Sequence, residues 1–506
     1  MKLIALIAFL ILVIACINFM NLSTANASRR LKEIGLKKAL GSKRKALIFQ
    51  FLGESILITF ISLLVALAIA DFLIPQFNEV TGKQLTPILS IQYFIIISVI
   101  LFITGILAGS YPAFYLSGLN TITTLKGKLN VSFGEVFARR GLVIFQFVLS
   151  IILIVFVLVI YMQIEFVQNK NLGYDKENII YFDTDENIEQ NLDAFLSALQ
   201  QADGIEKAST IGTNIVGGNN TFNTLDWPGK ISDEKVVFQM RPVNYGMIEL
   251  FNIGILEGRT FSRDFGGEDS KIIFNQAAID VMGLKDPIGK EISIQGTKLE
   301  IIGVTKNFHF ASLYTEIKPL FFVLRPSWTH IVMAKITNGK EQLALNNLKD
   351  FYQKYNPGKQ LDYKFLDDTY KSQYVAEQRV STMARYFAGL AILISCMGLF
   401  GLSTFNAERR RKEISIRKIF GQSASQITVM LSGEFTKLVL VSIIIALPIA
   451  YLVTNSWLSG FAYKVPLQIW YYLAAGIVAL LIAILTVGSQ AVHSANKNPV
   501  DALRYE

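Results

Sequence analysis

The sequence predicts a polytopic α-helical membrane protein, with seven transmembrane helices and one mixed α/β extracytoplasmic domain. Three observations predict it. Seven apolar stretches lie at about 3–20, 53–74, 91–114, 141–162, 384–405, 435–455 and 468–488, each near the ~20 residues a helix needs to cross a bilayer's hydrocarbon core. Between the fourth and fifth, residues 163–380 alternate short apolar runs with Gly, Asn, Asp and Pro turns, as a soluble domain does. The positive charge gathers at alternate ends of the apolar stretches. Over 506 residues the chain is 52% hydrophobic and 17% charged, against about 25% charged in an ordinary soluble domain. That composition excludes a long disordered chain. Two cysteines exclude a disulfide scaffold, and three separated histidines argue against a His-built metal site.

The first element to justify is the charge. Residues 163–380 hold 23 Lys and Arg against 29 Asp and Glu, a net of −6, so the remainder carries +15 of the overall +9. The excess sits in Arg29–Lys45, in Lys126, Lys128, Arg139 and Arg140, and in Arg409–Lys418. Short loops rich in Lys and Arg stay in the cytoplasm. The clusters therefore read as topology determinants beside a lipid bilayer, and no nucleic-acid partner is expected. One arrangement puts every cluster on the cytoplasmic side. The first helix runs inward, the second and third form a hairpin with loop 75–90 outside, and the fourth delivers 163–380 to the outer side. The fifth returns, the sixth and seventh form a second hairpin, and the C-terminus ends inside. Val13-Ile14-Ala15-Cys16 loosely resembles a lipoprotein cleavage box. The apolar run is longer than a signal peptide's core of 7–15 residues, so the first helix is expected to be retained.

The membrane part carries an internal repeat at a spacing of 380. Leu22-Ser23-Thr24-Ala25-Asn26-Ala27-Ser28-Arg29-Arg30-Leu31-Lys32-Glu33-Ile34 matches Leu402-Ser403-Thr404-Phe405-Asn406-Ala407-Glu408-Arg409-Arg410-Arg411-Lys412-Glu413-Ile414 without a gap. Lys38 and Gly41 match Lys418 and Gly421, Gly53-Glu54 matches Gly433-Glu434, and Cys16 matches Cys396. In each copy a membrane helix ends and a basic amphipathic segment follows, 26–48 and 406–428. Ile34, Leu36, Leu40 and Leu47 recur at near-helical spacing in the first, and Ile414, Ile416, Ile419, Phe420 and Ile427 in the second. Gly41 and Gly421 sit where such a segment bends or caps. An interfacial helix on lipid headgroups is one reading. A docking helix for a cytoplasmic partner is the other, and the repeated Arg-Arg-x-Lys-Glu-Ile favours it, because lipid attraction needs no fixed Glu or Gly. Glu54 and Glu434, at the starts of apolar helices, read as interfacial acids paired with the adjacent basic segment, since an acid at the bilayer is costly unless paired.

These residues resemble the FtsX/MacB-type permeases of ABC transporters. The resemblance rests on Asn26 to Gly41, its second copy Asn406 to Gly421, and the tail Asn498-Pro499-Val500-Asp501-Ala502-Leu503-Arg504. Gly141-Leu142-Val143-Ile144-Phe145-Gln146-Phe147 and Asp286-Pro287-Ile288-Gly289-Lys290 add to it. It implies FtsX-like permease units at 1–140 and 381–506, a transmembrane helix at 141–162 and a MacB-like periplasmic core domain at 163–380. By the same resemblance, Arg29, Arg30, Lys32, Glu33, Ile34, Lys38 and Gly41, with Arg409, Arg410, Lys412, Glu413, Ile414, Lys418 and Gly421, belong to coupling helices that rest on a cytoplasmic ABC ATPase subunit. The longer members of the group look like two copies of helix, outer domain and three helices. This chain is expected to lack the first helix and first outer domain, and to work as a homodimer or beside a second permease in the bacterial inner membrane.

In 163–380, residues 236–240, 298–304 and 331–334 look like strands, and 188–202 and 341–355 like amphipathic helices. Gly212 to Gly218, with Asn219 and Asn220, reads as a mobile loop. His309 reads as a structural histidine at a strand end, and Asp367-Asp368 as a solvated corner. No Ser-His-Asp arrangement and no G-x-x-x-x-G-K-[ST] phosphate loop occurs. The chain is therefore not expected to be an enzyme or to hold a cofactor, and its energy should come from a partner. The expected function is transmission of ATPase motion to the outer domain, for export or mechanical signalling. The alternative is a non-transporting membrane scaffold that regulates cell-wall hydrolases or senses a ligand.

Overall fold

A computed structural model describes residues 2–26, 30–85, 91–118, 133–230, 236–310 and 315–496. The chain divides into two units, a helical one of residues 1–162, 377–458 and 466–506, and a sheet domain of 163–376 with 459–465. In chain order the first helices are α1 (Lys2–Asn26), α2 (Leu31–Ala39), α3 (Arg44–Thr81), α4 (Ile91–Gly118) and α5 (Phe133–Asn169). The sheet domain adds α6 (Glu186–Gln190), α7 (Leu192–Gln200), α8 (Met247–Leu250), α9 (Gln276–Met282), α10 (Glu341–Tyr355) and α11 (Leu366–Ser372). The chain closes with α12 (Val375–Arg409), α13 (Arg411–Ile419), α14 (Ala424–Leu458) and α15 (Ile469–Ala495). Among the described residues seven helices are long and apolar enough to cross a membrane. They coincide with the seven apolar stretches. Several run longer than the apolar core, and α3 continues through Pro75 to Thr81. Leu57, Phe60, Leu64 and Phe72 on α3 are exposed, as suits side chains solvated by lipid tails.

Packing inside the helical unit uses small residues where helices meet. Gly398 on α12 has Asn18 of α1 so close that a Cβ would lie 2.5 Å from its Oδ1. Such close approach is how helices associate where apolar burial gives no driving force. Ser150 on α5 and Ser395 on α12 share a hydrogen bond of 2.9 Å nearby. Val143 and Phe147 of α5 pack with Leu399, Phe435, Val439 and Val487 of α12, α14 and α15.

The sheet domain is built on twelve strands. They are β1 (Ile179–Asp183), β2 (Ile205–Ile211), β3 (Thr221–Phe222), β4 (Leu225–Asp226), β5 (Phe238–Val243), β6 (Ile255–Gly258), β7 (Lys271–Asn275), β8 (Glu291–Ile294), β9 (Thr297–Thr305), β10 (Leu320–Leu324), β11 (Ile331–Ile336) and β12 (Lys364–Phe365). The order is β12-β1-β11-β2-β5-β10-β7-β9-β8-β4, with β3 on β5 and β6 on β9. Only β10–β5 and β7–β9 pair in parallel among the described strands. Period-2 alternation sends the two faces into different cores. On one face Ile179, Ile273, Phe322 and Met333 meet α8 and α11 through Ile248, Leu250, Leu366 and Tyr370. On the other, Ile180, Val332 and Ala334 meet Phe195, Leu199 and Leu348 of α7 and α10. Phe274, Phe321 and Ile301 meet Ala278 and Ile279 of α9.

The structure revises three expectations here. The helix expected at 188–202 is broken at Asn191, whose non-helical backbone (φ −125°, ψ 30°) ends α6 and opens α7. The Gly212–Gly218 stretch is no loose loop. Ile215 and Val216 are buried in the core, and fully buried Arg241 donates from Nη2 to Gly218 O at 2.7 Å. Burial pushes that guanidinium down to about 10. Asp367 and Asp368 occupy the first turn of α11 rather than a loop corner. An acid there favours the helix N-terminus, and Lys371 pairs with Asp367 at 2.8 Å.

The short segment Ser459–Val465 belongs to the sheet domain. The Gln163 amide grips its backbone, donating to Tyr463 O at 2.9 Å and accepting from Val465 N at 2.7 Å. His309 meets the Tyr463 ring edge-on, with centroids 4.4 Å apart, and Lys170 Nζ lies 4.2 Å from the same ring's centroid. Burial first, and Lys170 second, push the imidazole down to about 4. The unfolded chain therefore takes up a proton near pH ~6.5 that the folded chain refuses until about pH 4. Stability is expected to be flat above about pH 7 and to fall by up to ~3 kcal/mol as pH drops from ~6.5 to ~4. Thermal unfolding of the full chain against pH, compared with His309→Asn, checks this. Equal acid sensitivity in the two proteins would contradict it.

Candidate functional site

The repeated basic segments fold alike. In the first, α2 begins after Arg30, Gly41 follows at φ 92°, and then α3. In the second, α12 ends at Arg409, α13 follows, and Gly421 stands at φ 90° before α14. Both short helices end in a Schellman motif. Ser42 N donates to Lys37 O at 2.9 Å and Gly41 N to Lys38 O at 3.0 Å; Gln422 N donates to Arg417 O at 3.0 Å and Gly421 N to Lys418 O at 3.1 Å. The positive φ explains the glycines. A Cβ at either would meet nothing within 4 Å, so substitution is penalised by backbone alone. Gly41→Val and Gly421→Val are each expected to cost about 1–2 kcal/mol, read as a lowered Tm of the purified chain. Ala39→Gly is the control for general loosening.

The ion pairs repeat as well. Arg30 Nη1 reaches Glu54 Oε2 at 2.6 Å, and Arg410 Nη2 reaches Glu434 Oε1 at 2.7 Å. Lys37 Nζ meets Glu33 Oε1 at 2.8 Å, and Arg417 Nη2 meets Glu413 Oε1 at 2.7 Å. The Glu54 carboxylate, and secondarily Glu33, hold the Arg30 guanidinium above its ordinary value. Lys37 and Arg30 hold the Glu33 carboxyl below the usual range. Half-exposed pairs of this kind contribute little each; the Arg30–Glu54 and Arg410–Glu434 pairs tie the start of each short helix to the long helix that follows.

A further bond joins each short helix to the end of its unit's last helix. Lys38 Nζ donates to Ser117 O at 2.8 Å, and Lys418 Nζ to Ala495 O at 2.8 Å. Burial, helped by Arg44, lowers the Lys38 ammonium below its usual range. A cation on the unsatisfied carbonyls of a helix C-terminus is favourable. Ile34 and Ile414 are buried at the inner face, Ile34 with Leu47, Phe51 and Leu116, Ile414 with Ile427 and Leu431. The outer face carries Leu36, Ala39 and Leu40 in the first copy and Ile416, Ile419 and Phe420 in the second, at i, i+3 and i+4. Leu40 is 78% exposed and Phe420 86%. The arrangement is a helix braced against its neighbours and presenting an apolar tip.

Of the residues singled out in the sequence, the structure brings Arg30, Glu33, Ile34, Lys38, Gly41 and Glu54 into one cluster, and Arg410, Glu413, Ile414, Lys418, Gly421 and Glu434 into its counterpart. Arg409 is exposed at the end of α12. Arg29 lies outside the described residues, as do the Lys32 and Lys412 side chains and the tail 498–504. The carbonyl acceptors Ser117 and Ala495 escaped sequence reasoning. They lie 378 apart, not 380, and so do Ala113 and Ala491 of the paired cores. Sequence at that offset aligns Asn120-Thr121-Ile122-Thr123-Thr124-Leu125-Lys126 with Asn498-Pro499-Val500-Asp501-Ala502-Leu503-Arg504.

Two family models match this chain. The FtsX-like permease C-terminal family matches residues 5–121 and 385–499, and the MacB-like periplasmic core domain matches 147–348. The two permease matches begin 380 residues apart and end 378 apart, as the structure does. The chain belongs to the FtsX/MacB-type permeases of ABC transporters, multi-pass membrane proteins with a mixed-sheet domain. It is 24% identical over 294 residues to the uncharacterized ABC transporter permease YknZ of Bacillus subtilis (strain 168), covering 54% of this chain and 72% of that one. It is 34% identical over 129 residues to the macrolide export ATP-binding/permease protein MacB of Bdellovibrio bacteriovorus. That stretch spans 24% of this chain and 19% of the relative. The crystallised periplasmic region of MacB from Actinobacillus actinomycetemcomitans is 12% identical, with a TM-score of 0.30, covering 41% of this chain and 96% of that one.

Proposed function

We propose that the chain is the permease subunit of an ABC transporter, with α2 and α13 as two equivalent feet on a separate cytoplasmic ATPase. The seven apolar helices cross the inner membrane, the basic feet and the C-terminus face the cytoplasm, and the sheet domain stands outside. ATP-driven closure of the motor displaces the feet, and the long helices α5 and α12 carry that displacement to the sheet domain. The working unit is a homodimer or a pair with a second permease.

The observation that supports this reading is the duplicated brace. Each foot is clamped at its start by an Arg–Glu pair, stopped by a Schellman glycine and joined by lysine to the last helix of its unit, while its apolar tip stays open. A helix that only rests on lipid has no need of such bracing, because lipid yields to any load. The tilt of a pushrod, in contrast, has to be fixed. Few ionisable side chains line the apolar helices, which favours force transmission over a solute path through the membrane.

Photo-crosslinking tests it. A benzophenone amino acid at position 40 or 420, in membranes of the native host, is expected to capture a polypeptide with an ATP-hydrolase phosphate loop. Adducts to phospholipid alone from both positions would sink the proposal.

A further inference from the structure

The two feet are alike in backbone but not in one corner. Beside α13 lies a cavity of about 250 Å³ lined by Glu408, Arg411, Ser415, Lys418 and Ser494 and floored by Ile414. The repeat gives each of these a counterpart. Arg411 stands where the first copy has Leu31, Ser415 where it has Gly35, and Glu408 where it has Ser28, all at the 380 spacing. Ser494 stands where it has Leu116, at the 378 spacing of the last helices. Leu116 is 2% exposed and packs in one cluster with Ile34 and Phe51. The second foot has a serine there, and the space is hollow. A scaffold copied with its ion pairs intact thus carries Arg411 and Ser494 at this corner where the first copy has Leu31 and Leu116.

The position and charge indicate what the corner takes. It lies where α12 ends at Arg409 and α15 ends at Ala495, the level at which apolar helices leave the hydrocarbon and meet lipid headgroups. Arg411, Lys418 and Glu408 are the charged residues lining it. Arg411 has no carboxylate partner among the described residues. Two hydroxyls, Ser415 and Ser494, line the same wall. A guanidinium, an ammonium and hydroxyl donors converging in a cavity are the chemistry that recognises phosphate oxygens. Basic pockets between membrane helices bind phospholipid head groups in this way. The place of the corner, at the ends of two apolar helices, favours the phosphodiester of a lipid headgroup over free phosphate.

We infer that the second foot, and not the first, holds the phosphodiester of a membrane phospholipid between α12, α13 and α15. This makes the two feet chemically distinct whether or not they carry an ATPase. Native mass spectrometry of the full chain, solubilised mildly and offered phosphatidylglycerol, tests the inference. Wild type is expected to retain one phosphatidylglycerol through delipidation, and Arg411→Gln to bind it roughly tenfold more weakly, the loss of one charge-assisted contact. Arg411→Leu with Ser494→Leu, which installs the first copy's own residues, is expected to abolish retention. An unchanged Tm in the Gln variant keeps this loss separate from misfolding. Equal retention by wild type and both variants overturns the site. Displacement of the lipid by excess inorganic phosphate overturns the lipid as its source.

Discussion

With Leu40 and Phe420 both replaced by aspartate, the chain is expected to reach the membrane folded and to lose its ATPase. Both side chains are more than three-quarters exposed, so neither change removes packing from the protein itself. On a partner's groove the same positions would be central apolar anchors, and truncating an anchor of that kind typically costs at least about 2 kcal/mol. A buried, unpaired carboxylate adds to that. Two feet together should weaken the complex about a thousand-fold or more. Each single variant should leave one foot engaged and retain partial binding. Co-purification of the ATPase, with rescue by Leu40→Met and Phe420→Leu, is the measurement. Full co-purification of the double aspartate variant would contradict the docking role of the tips.

The second large effect lies in the sheet domain. Phe274→Ala is expected to destabilise it by about 3–5 kcal/mol. Phe274 is fully buried on β7, with ring centroids 5.8 Å from Phe321 and 6.3 Å from Phe238. Its removal opens a hole in the core beneath α9 that a close-packed interior cannot refill. Phe274→Leu should cost less than about half as much, since volume is nearly kept. Urea unfolding followed by sheet-domain tryptophan fluorescence reads the difference, with Trp227 6% exposed in the same cluster. Capture of the ATPase by the feet should survive the alanine variant, because none of the foot residues belongs to that core.

The long helices were legible in the sequence because apolar length alone sets them. The feet were legible because the copies share Arg30/Arg410, Glu33/Glu413 and Gly41/Gly421 without a gap, and a glycine after a basic run has a local structural meaning. The bonds that brace them were not. Lys38 and Lys418 donate to backbone carbonyls, which leave no trace in residue identity, and their acceptors fall out of the 380 register. The sheet domain was legible only in outline. Three strands announced themselves by β-branched content, while β10, Leu-Phe-Phe-Val-Leu, is buried along its whole length and lacks the alternation that marks a one-sided strand. Asn191, which splits one expected helix into two, looks in sequence like any other polar position on an amphipathic face.

The change from 380 to 378 has a practical meaning for anyone who would exchange the halves. Two residues along a helix amount to about 3 Å of rise and some 200° of turn. A graft of α13 onto the first half that kept α4 and counted by the longer spacing would aim the wrong side of α4 at the newcomer and carry the lysine's carbonyl out of reach. Foot and buttress are inherited as one casting, and any seam has to be cut outside both.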